Sequence, residues 1–342
     1  MTVRAKRVWM KGEAEEEEIV IENEKPYSSG RFSNVSAATL TKPSNRRVAV
    51  KRAWESKDAI AAGIQYKHEA TVLASLYHPH VTRLLYYFTQ KIQGDTCHSM
   101  VLDFFPLDMS RLRDKGIRLD SLDARLYAWQ LWCAVEYVSE KGFLHLDIKP
   151  ANLILADFGN AKKLIDGDKN EPYQVTDYIL YSTFLLYVTR FYRAPELLFG
   201  TTSFTHGIDW WAAACVTAEF STSKPLLKDK SADAQMRLII HIFGYPTTEE
   251  IKKMKVSRPR VSKPKVPRGI KPILDCDSPP ELLSLLQSCL VYSPDARMKP
   301  GNVINQEYFK PLFTSPPPVR SNGFPIPKLA NSVSESDEVN II

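Results

Sequence analysis

Alternating apolar and polar positions dominate the first third of the chain. Residues 47–51 (Arg-Val-Ala-Val-Lys) alternate in the way that is typical of a half-buried strand. The segment 20–102 is therefore predicted to be strand-rich, with one helix at roughly residues 58–76 that ends before the break at His78 and Pro79. The pattern predicts a small β-rich part that carries one main helix.

A helical periodicity replaces this alternation further along the chain. Ser121 is a suitable N-cap for a helix that runs to Lys141 and stops at Gly142. The apolar stripe of this helix consists of Leu122, Leu126, Leu131, Val135 and Val138. A second helix is expected to start near Asp209. The fold class is thus predicted as α+β, with a larger, mainly helical C-terminal part.

Both ends of the chain are predicted to be disordered tails. Glutamates form an acidic run within residues 1–19, and proline, serine and acidic residues dominate from residue 315 onward. The pattern divides the chain into a tail at 1–19, a β-rich part at 20–102, a connection at 103–106, a helical part at 107–311 and a tail at 312–342.

Composition narrows the class of protein. The chain has 342 residues, of which 44% are hydrophobic and 25% charged, and this suits one large soluble domain or two lobes. Its five cysteines are scattered without a C-x-x-C pair, so neither a zinc site nor a disulfide framework is indicated. Reduced thiols are expected, and with them a cytoplasmic or nuclear location.

Partners of two kinds are not expected. The longest nearly uncharged apolar run, residues 178–189, is too short to span a bilayer, which needs about 20 residues, and residues 1–11 do not form a signal peptide. The formal net charge of +6 is mild, so nucleic-acid binding is not required. Residues 252–271 hold nine lysines or arginines and no acid, and a nucleic-acid binder built on this basic loop is a remote alternative.

The candidate chemistry lies in residues 145–152 (His-Leu-Asp-Ile-Lys-Pro-Ala-Asn) and the Asp-Phe-Gly that begins at residue 157. Phosphoryl transfer requires positioned phosphates, Mg²⁺, and a carboxylate that orients the attacking hydroxyl. Asp147 is the candidate for that carboxylate, and Lys149 would place a cation beside the transferred group. Asn152 and Asp157 carry oxygen ligands of the type that Mg²⁺ prefers.

These motifs resemble the signature set of the eukaryotic protein kinases. Residues 189–200 are similar to the cyclin-dependent kinases, above all the CDK-activating kinases, and residues 242–247 resemble the turn that opens the insert of the CMGC group. Residues 157–162 also resemble the glycogen synthase kinases. The resemblance implies a bilobal kinase fold, with an N-lobe at 20–102, a hinge at 103–106 and a C-lobe at 107–311.

The resemblance also implies an activity and partners. A kinase of this type would use ATP and Mg²⁺ to phosphorylate serine or threonine in a protein substrate. Lys149 is the residue that serine/threonine kinases carry at this position, and Arg193 would shape a pocket for a proline after the phosphoacceptor. A cyclin or another regulatory subunit is an open possibility.

The same resemblance supplies candidates for the ATP site. Lys51 would bind the α- and β-phosphates and pair with Glu69 on the main helix, with Glu55 as the alternative partner. Main-chain groups at Asp103 and Phe105 would bind adenine. The glycine-rich loop is eroded, and its remaining candidates for ATP binding are Ser28, Gly30, Ser33 and Val35. Ala49 would lie against the adenine ring together with Val35.

Three further roles follow from the resemblance. Glu196 would form a buried ion pair with Arg297, and Asp209 would brace the catalytic loop through backbone N–H groups. Thr189 is a candidate phosphorylation site on the activation segment. The family places three cations around such a phosphate, whereas the matching positions here are His68, Leu146 and Lys162. Phosphorylation of Thr189 is therefore predicted to have little effect.

One departure leaves alternatives open. Only four residues separate Asn152 from Asp157, too few for the β-hairpin that the family places there. Five residue steps reach about 17 Å, so the chain can close, but the hairpin pairing is lost. A pseudokinase that acts as a binding module is the alternative function, and a splice variant or incorrect gene model is an alternative origin of the spacing.

Overall fold

The computed structural model describes residues 1–8, 15–29, 33–55, 60–105, 115–152, 155–164, 173–174 and 190–329. Two compact units emerge from the contacts among these residues. The N-terminal unit comprises residues 1–105 together with 156–161, and the C-terminal unit comprises the remaining described residues from 115 to 329. The predicted α+β class is confirmed, since strands dominate the first unit and helices the second.

The N-terminal unit is a closed antiparallel barrel with the strand order β1-β2-β3-β4-β6-β5. Its strands are β1 (Thr2–Arg7), β2 (Glu16–Ser29), β3 (Asn34–Lys42), β4 (Arg46–Glu55), β5 (Leu84–Ile92) and β6 (Asp95–Asp103). Side chains that alternate along these strands fill its interior, among them Ile19, Leu40, Val48, Val50 and Val101. Helix α1 (Ile60–Ala74) packs on β4, β5 and β6.

The described part of residues 1–19 is not a tail, and that prediction was wrong. Strand β1 pairs with β2 on one side and with β5 on the other, and so closes the barrel. Ala5 and Ile19 are buried in its core. The acidic run joins the sheet because its neighbours supply cations: Glu18 lies 2.9 Å from Lys42 Nζ.

The C-terminal unit is built on two long helices that pack against each other. Its helices are α2 (Ser121–Glu140), α3 (Pro195–Leu198), α4 (Gly207–Thr222), α5 (Ala232–Phe243), α6 (Thr248–Lys253), α7 (Pro280–Cys289) and α8 (Pro300–Val303). Between α2 and α4, the buried Trp132 Nε1 donates to Thr217 Oγ1 at 3.0 Å. No helix among the described residues combines the length and apolarity that a membrane span requires.

Two short ladders complete the C-terminal unit. Strand β7 (Phe143–Leu144) pairs with β8 (Lys162–Lys163), and β9 (Tyr173–Gln174) pairs with β10 (Ser203–Phe204). The first ladder is continued by a hydrogen bond from Leu164 N to Gly142 O of 2.8 Å. It therefore holds residues 162–164 beside residues 142–144, which directly follow α2.

Two sequence predictions about this unit need correction. The N-cap of α2 is Asp120 rather than Ser121, because the Asp120 carboxylate accepts the N–H of Asp123 at 2.7 Å. The described part of residues 312–342, which ends at 329, is ordered. Arg320 anchors it on α2, where its guanidinium donates to Asp123 Oδ1 at 2.6 Å and to Tyr127 Oη at 2.8 Å.

Candidate active site

Lys51 is the centre of a charged cluster in the N-terminal unit. Its neighbours Val48 and Val50 on β4 point into the barrel, so Lys51 faces the other side of the strand. Nζ lies 2.7 Å from both carboxylate oxygens of Glu69 on α1 and 2.9 Å from Asp157 Oδ1. The structure thus contains the ion pair with Glu69 that the sequence predicted.

The alternative partner of Lys51 is engaged elsewhere. Glu55, at the end of β4, accepts a hydrogen bond from His98 Nε2 on β6 at 2.8 Å. This contact lowers the pKa of the Glu55 carboxyl below its usual value. Glu69 rather than Glu55 is therefore the partner of Lys51.

Burial and charge act in opposite directions in this cluster. Burial alone would lower the pKa of Lys51, but the carboxylates of Glu69 and Asp157 raise it above its ordinary value. Burial also raises the pKa of Glu69, and the Lys51 ammonium opposes that change. Because both oxygens of Glu69 contact Nζ at 2.7 Å, the geometry favours the ionised pair.

Asp157 is held so that its carboxylate stays accessible. Its backbone adopts the left-handed region, with φ of 66°, and the next three residues form a 3₁₀ turn against α1. Phe158 is fully buried in that turn, and His68 Nε2 lies 2.5 Å from the carbonyl oxygen of Ala161. The Asp157 side chain is 47% exposed beside Lys51.

The adenine-site candidates lie on the strands of the same unit or, in the case of Phe105, just after β6. Val35 on β3 is the register partner of Lys51 on β4. At the end of β6, the Asp103 carboxylate accepts from the Arg46 guanidinium, and the carbonyl of Phe105 accepts from Tyr27 Oη at 3.4 Å.

The eroded glycine-rich loop is partly described. Ser28 is paired with Val35 across the β2–β3 ladder, and Ser29 Oγ donates to Asn34 Oδ1 at 2.6 Å. Ser33 is described, whereas Gly30 lies outside the described residues. Ser28 and Ser29 therefore lie at the end of this ladder.

The catalytic-loop candidates lie in the C-terminal unit, where Asp209 organises the backbone. The Asp209 carboxylate on α4 accepts the N–H of His145 at 2.6 Å and the N–H of Leu146 at 2.8 Å. Leu146 adopts φ of 67°, an unusual conformation for a leucine that these two hydrogen bonds support. Asp209 thus braces the loop through the backbone groups that the sequence predicted.

Burial has the largest effect on the pKa of the Asp209 carboxyl. It raises the pKa of the Asp209 carboxyl to about 6, the two backbone N–H groups oppose the change, and the nearby charge of Asp147 adds to it. The carboxylate is therefore ionised near neutral pH and gains protons in mildly acidic solution.

The candidate base and its neighbours form a compact group. Asp147 is buried, and its Oδ2 lies 2.5 Å from Lys149 Nζ. Asn152, at the end of the 3₁₀ turn Pro150–Asn152, donates from Nδ2 to the carbonyl oxygen of Asp147 at 3.1 Å. Because the nitrogen of the amide is used in this way, its oxygen is the end that remains for a metal ion.

Each predicted metal ligand is thus described with its own contacts. Asn152 belongs to the C-terminal unit and Asp157 to the N-terminal unit. Of the four residues between them, 153 and 154 lie outside the described residues. Within the described chain, no group of three or more histidines, cysteines and acids forms a metal cage. An amide oxygen and a carboxylate are each oxygen ligands of the type that Mg²⁺ takes.

The buried ion pair predicted in the C-terminal unit is present. Arg297 Nη1 and Nη2 donate to Oε1 and Oε2 of Glu196, each at 2.7 Å. Thr189, the candidate phosphorylation site, lies outside the described residues. Of the positions that would surround its phosphate, His68 is engaged with Ala161, Leu146 is buried, and burial lowers the pKa of the Lys162 amine.

The sequence did not predict two contacts of this site. Lys51 reaches Asp157 across 106 positions of the chain, and no periodicity or spacing indicates that contact. The contact of His68 with the backbone of Ala161 was equally unexpected. Both depend on how the turn after Asp157 packs on α1.

Comparisons with known proteins give consistent findings. The model of the protein kinase domain family matches residues 22–309. The chain is similar to gskl-1 of Caenorhabditis elegans, whose name provisionally assigns it to the serine/threonine-protein kinases: the two are 38% identical over 313 residues, 89% of this chain and 82% of the relative. It is 31% identical to the protein kinase gsk3 of Schizosaccharomyces pombe over 305 residues, 84% of this chain and 73% of the relative.

Proposed function

Because the chain belongs to the protein kinase family, we propose that it transfers the γ-phosphoryl group of ATP to serine or threonine hydroxyls of protein substrates, as a kinase of the CMGC group. The observation that carries this proposal is the contact of Lys51 with both Glu69 and Asp157. A lysine fixed by a buried helix glutamate is the arrangement that binds ATP phosphates in this family.

The residues of the chain would divide the work of phosphoryl transfer. Lys51, oriented by Glu69, binds phosphate oxygens, and Lys149 stabilises the charge of the transferred group. Asp147 accepts a hydrogen bond from the substrate hydroxyl and receives its proton. Asn152 and Asp157 would hold Mg²⁺, which neutralises phosphate charge when it is bound.

Alignment matters more than basicity for Asp147. The transition state of phosphoryl transfer is loose, so the attacking oxygen needs orientation more than deprotonation. The neighbouring Lys149 ammonium, 2.5 Å from Asp147 Oδ2, fixes that carboxylate. Asp209 supports the same loop by accepting hydrogen bonds from the N–H groups of His145 and Leu146.

The finer features of the function rest on fewer residues. The proposed preference for proline after the phosphoacceptor depends on Arg193, a buried residue that lies two positions before helix α3. The proposed closeness to cyclin-dependent kinases depends on residues 189–200, while both named relatives above carry gsk-type names. A cyclin or other regulatory subunit and a cytoplasmic or nuclear location complete the proposal.

A pseudokinase is the second candidate, and the four-residue spacing between Asn152 and Asp157 favours it. A chain of this kind would keep the fold and the contacts of Lys51 but would not align substrate and nucleotide. It would therefore bind partners without transferring phosphate. The two candidates differ in one measurable property, namely phosphate transfer that depends on Asp147.

The deciding experiment is phosphate transfer from labelled ATP to a Thr-Pro peptide in the presence of Mg²⁺. Asp147→Asn should lower kcat by about 10²-fold or more, because it removes the carboxylate that orients the hydroxyl. Asp233→Asn is the matched control, since this side chain on α5 is 80% exposed. Equal rates for wild type and Asp147→Asn would refute the kinase proposal.

A further inference from the structure

Residues 252–271, called the basic segment below, carry a positive charge larger than the net charge of the whole chain. The segment contains nine lysines and arginines and no acid, whereas the whole chain has a formal net charge of +6. The rest of the chain therefore has a net charge of −3. Such concentration in one stretch is unlike the mixed surface of an ordinary soluble protein.

The backbone of the basic segment is firmly attached to the C-terminal unit. Met254 and Ile270 are buried near its two ends. Tyr245 Oη donates to the carbonyl oxygen of Pro259 at 2.7 Å, and the N–H of Arg268 donates to the carbonyl of His241 at 2.9 Å. The segment is thus ordered, although between α6 and Lys271 it contains neither helix nor strand.

The cations of this ordered segment point to solvent. All nine are exposed. Within the described chain, one of them has an acidic partner: Lys253 lies 2.9 Å from Asp295. Arg258 donates to the hydroxyl of Thr248, and Lys263 lies 5.1 Å from the ring centroid of Tyr245. The remaining cations repel one another across this surface. An acidic partner would relieve this repulsion.

We propose that the basic segment is a docking surface for acidic segments of partner or substrate proteins. Three prolines, at 259, 264 and 267, restrict the backbone, so little conformational entropy is lost when a partner binds. The nine cations are distributed along the twenty residues of the segment, which suits a peptide with several glutamates or aspartates.

The chemistry favours an acidic protein segment over a nucleic acid. The segment contains no aromatic residue on which bases could stack. The nearby ring of Tyr245 is contacted by Lys263, and its hydroxyl is used by Pro259. No recognition helix is present in the segment beyond the last turn of α6. The carboxylates of an acidic peptide, by contrast, require only the exposed cations in order to bind.

The test measures binding of a fluorescent peptide of alternating glutamate and glycine to the full chain by anisotropy. The variant replaces Arg260, Lys263 and Lys265 by glutamine, and the matched control replaces three exposed lysines in other regions, Lys25, Lys91 and Lys115. At low salt the variant should bind about tenfold more weakly, since each exposed ion pair contributes modestly, and the control should bind as wild type does.

Further arms of the experiment make the outcome decisive. Affinity of the wild type for the acidic peptide should fall steeply as salt rises, and a glutamine–glycine peptide should not bind. Equal binding by the variant and the control would overturn the proposal, as would an affinity that salt does not change. Tighter binding of single- or double-stranded DNA than of the peptide, lost in the variant, would assign the surface to nucleic acid instead. The assay requires no phosphate transfer, so its result is independent of the kinase proposal.

Discussion

Arg297 offers the sharpest test of how the C-terminal unit is held together. Its guanidinium is fully buried and donates in parallel to both oxygens of Glu196, which is itself only 2% exposed. The remaining donors are also satisfied: Nη1 reaches the carbonyl of Gly207 at 2.6 Å, Nε that of Val291 at 3.0 Å and Nη2 that of Tyr292 at 3.1 Å. Three separate segments therefore meet at one side chain.

The proposed change is Arg297→Met, which keeps an unbranched apolar stem but removes the guanidinium and its charge. It would leave the Glu196 carboxylate buried without a cation and three backbone carbonyls without a donor. Breaking a buried pair of this kind costs about 3–5 kcal/mol. Against a total stability of roughly 5–15 kcal/mol, this is a large fraction, so the free energy of unfolding should fall markedly.

Glu196→Gln should be milder, because Arg297 would keep its three carbonyl partners and its contact with the Trp211 ring, 5.1 Å from the guanidinium carbon. We expect a loss of about 1–3 kcal/mol for this change. The double variant should be less destabilised than the sum of the two single variants, because no uncompensated charge remains.

Urea unfolding followed by circular dichroism measures these effects as changes in the midpoint at constant slope. Arg237→Met is the matched control, since this exposed arginine lies 4.0 Å from Asp233. A loss below about 1 kcal/mol for Arg297→Met, similar to that of the control, would refute the reasoning.

Three further predictions follow from single residues. Ile19→Ala should lower the free energy of unfolding by about 2–5 kcal/mol, because Ile19 is fully buried in the barrel, and a change near zero in urea unfolding would contradict the place of the acidic run in the sheet. The free energy of unfolding of wild type, relative to that of Asp209→Asn, should fall by up to about 3 kcal/mol as pH rises from about 4 to about 6. The reason is that the raised pKa of about 6 makes the folded chain bind more protons than the unfolded chain in that range. Parallel curves of unfolding free energy against pH for the two proteins would contradict this prediction. Thr189→Ala and chain phosphorylated at Thr189 should have similar kinase activity, because the buried Leu146 replaces a cation there, and a tenfold difference would overturn this expectation.

Contacts carried by a local motif could be predicted from the sequence. Lys51 with Glu69, Glu196 with Arg297, and Asp209 with the catalytic-loop backbone are all present in the structure. The residues of these contacts belong to short motifs, so they could be identified from the resemblance to the kinases. Their roles toward ATP and substrate stay predictions, because geometry alone does not report chemistry.

Contacts that depend on long-range charge pairing could not be predicted. The glutamates before Ile19 indicate a solvated tail when they are considered alone. In the barrel, Glu17 accepts from Tyr86 Oη at 3.0 Å, and Glu18 pairs with Lys42. Their partners lie on β5 and β3, and no local pattern indicates which strands will be neighbours. The acidic run therefore obscured the alternating pattern of β2, in which the apolar residues Ile19 and Ile21 are buried.

The order of the C-terminal stretch had a similar cause. Proline and serine are typical of disordered segments, yet one arginine at position 320 reaches both Asp123 and Tyr127 on α2. A 3₁₀ helix, Glu307–Phe313, precedes this segment and places Phe313 against the ring of Trp129, with 5.7 Å between the centroids. Composition alone could not reveal these contacts, because they are made by a few residues within a polar stretch.

The shortened spacing between Asn152 and Asp157 weighs less against catalysis than the sequence alone suggests. A hairpin between the two predicted metal ligands would help to orient them, but each has contacts that do not depend on one. Asn152 is fixed by the carbonyl of Asp147, and Asp157 by Lys51 and by the packing of its turn on α1. The ladder of Phe143 and Leu144 with Lys162 and Lys163 is also present. Each side chain is therefore oriented within its own unit by contacts that do not require a hairpin. Activity that depends on Asp147 is therefore the expected outcome, despite the missing hairpin.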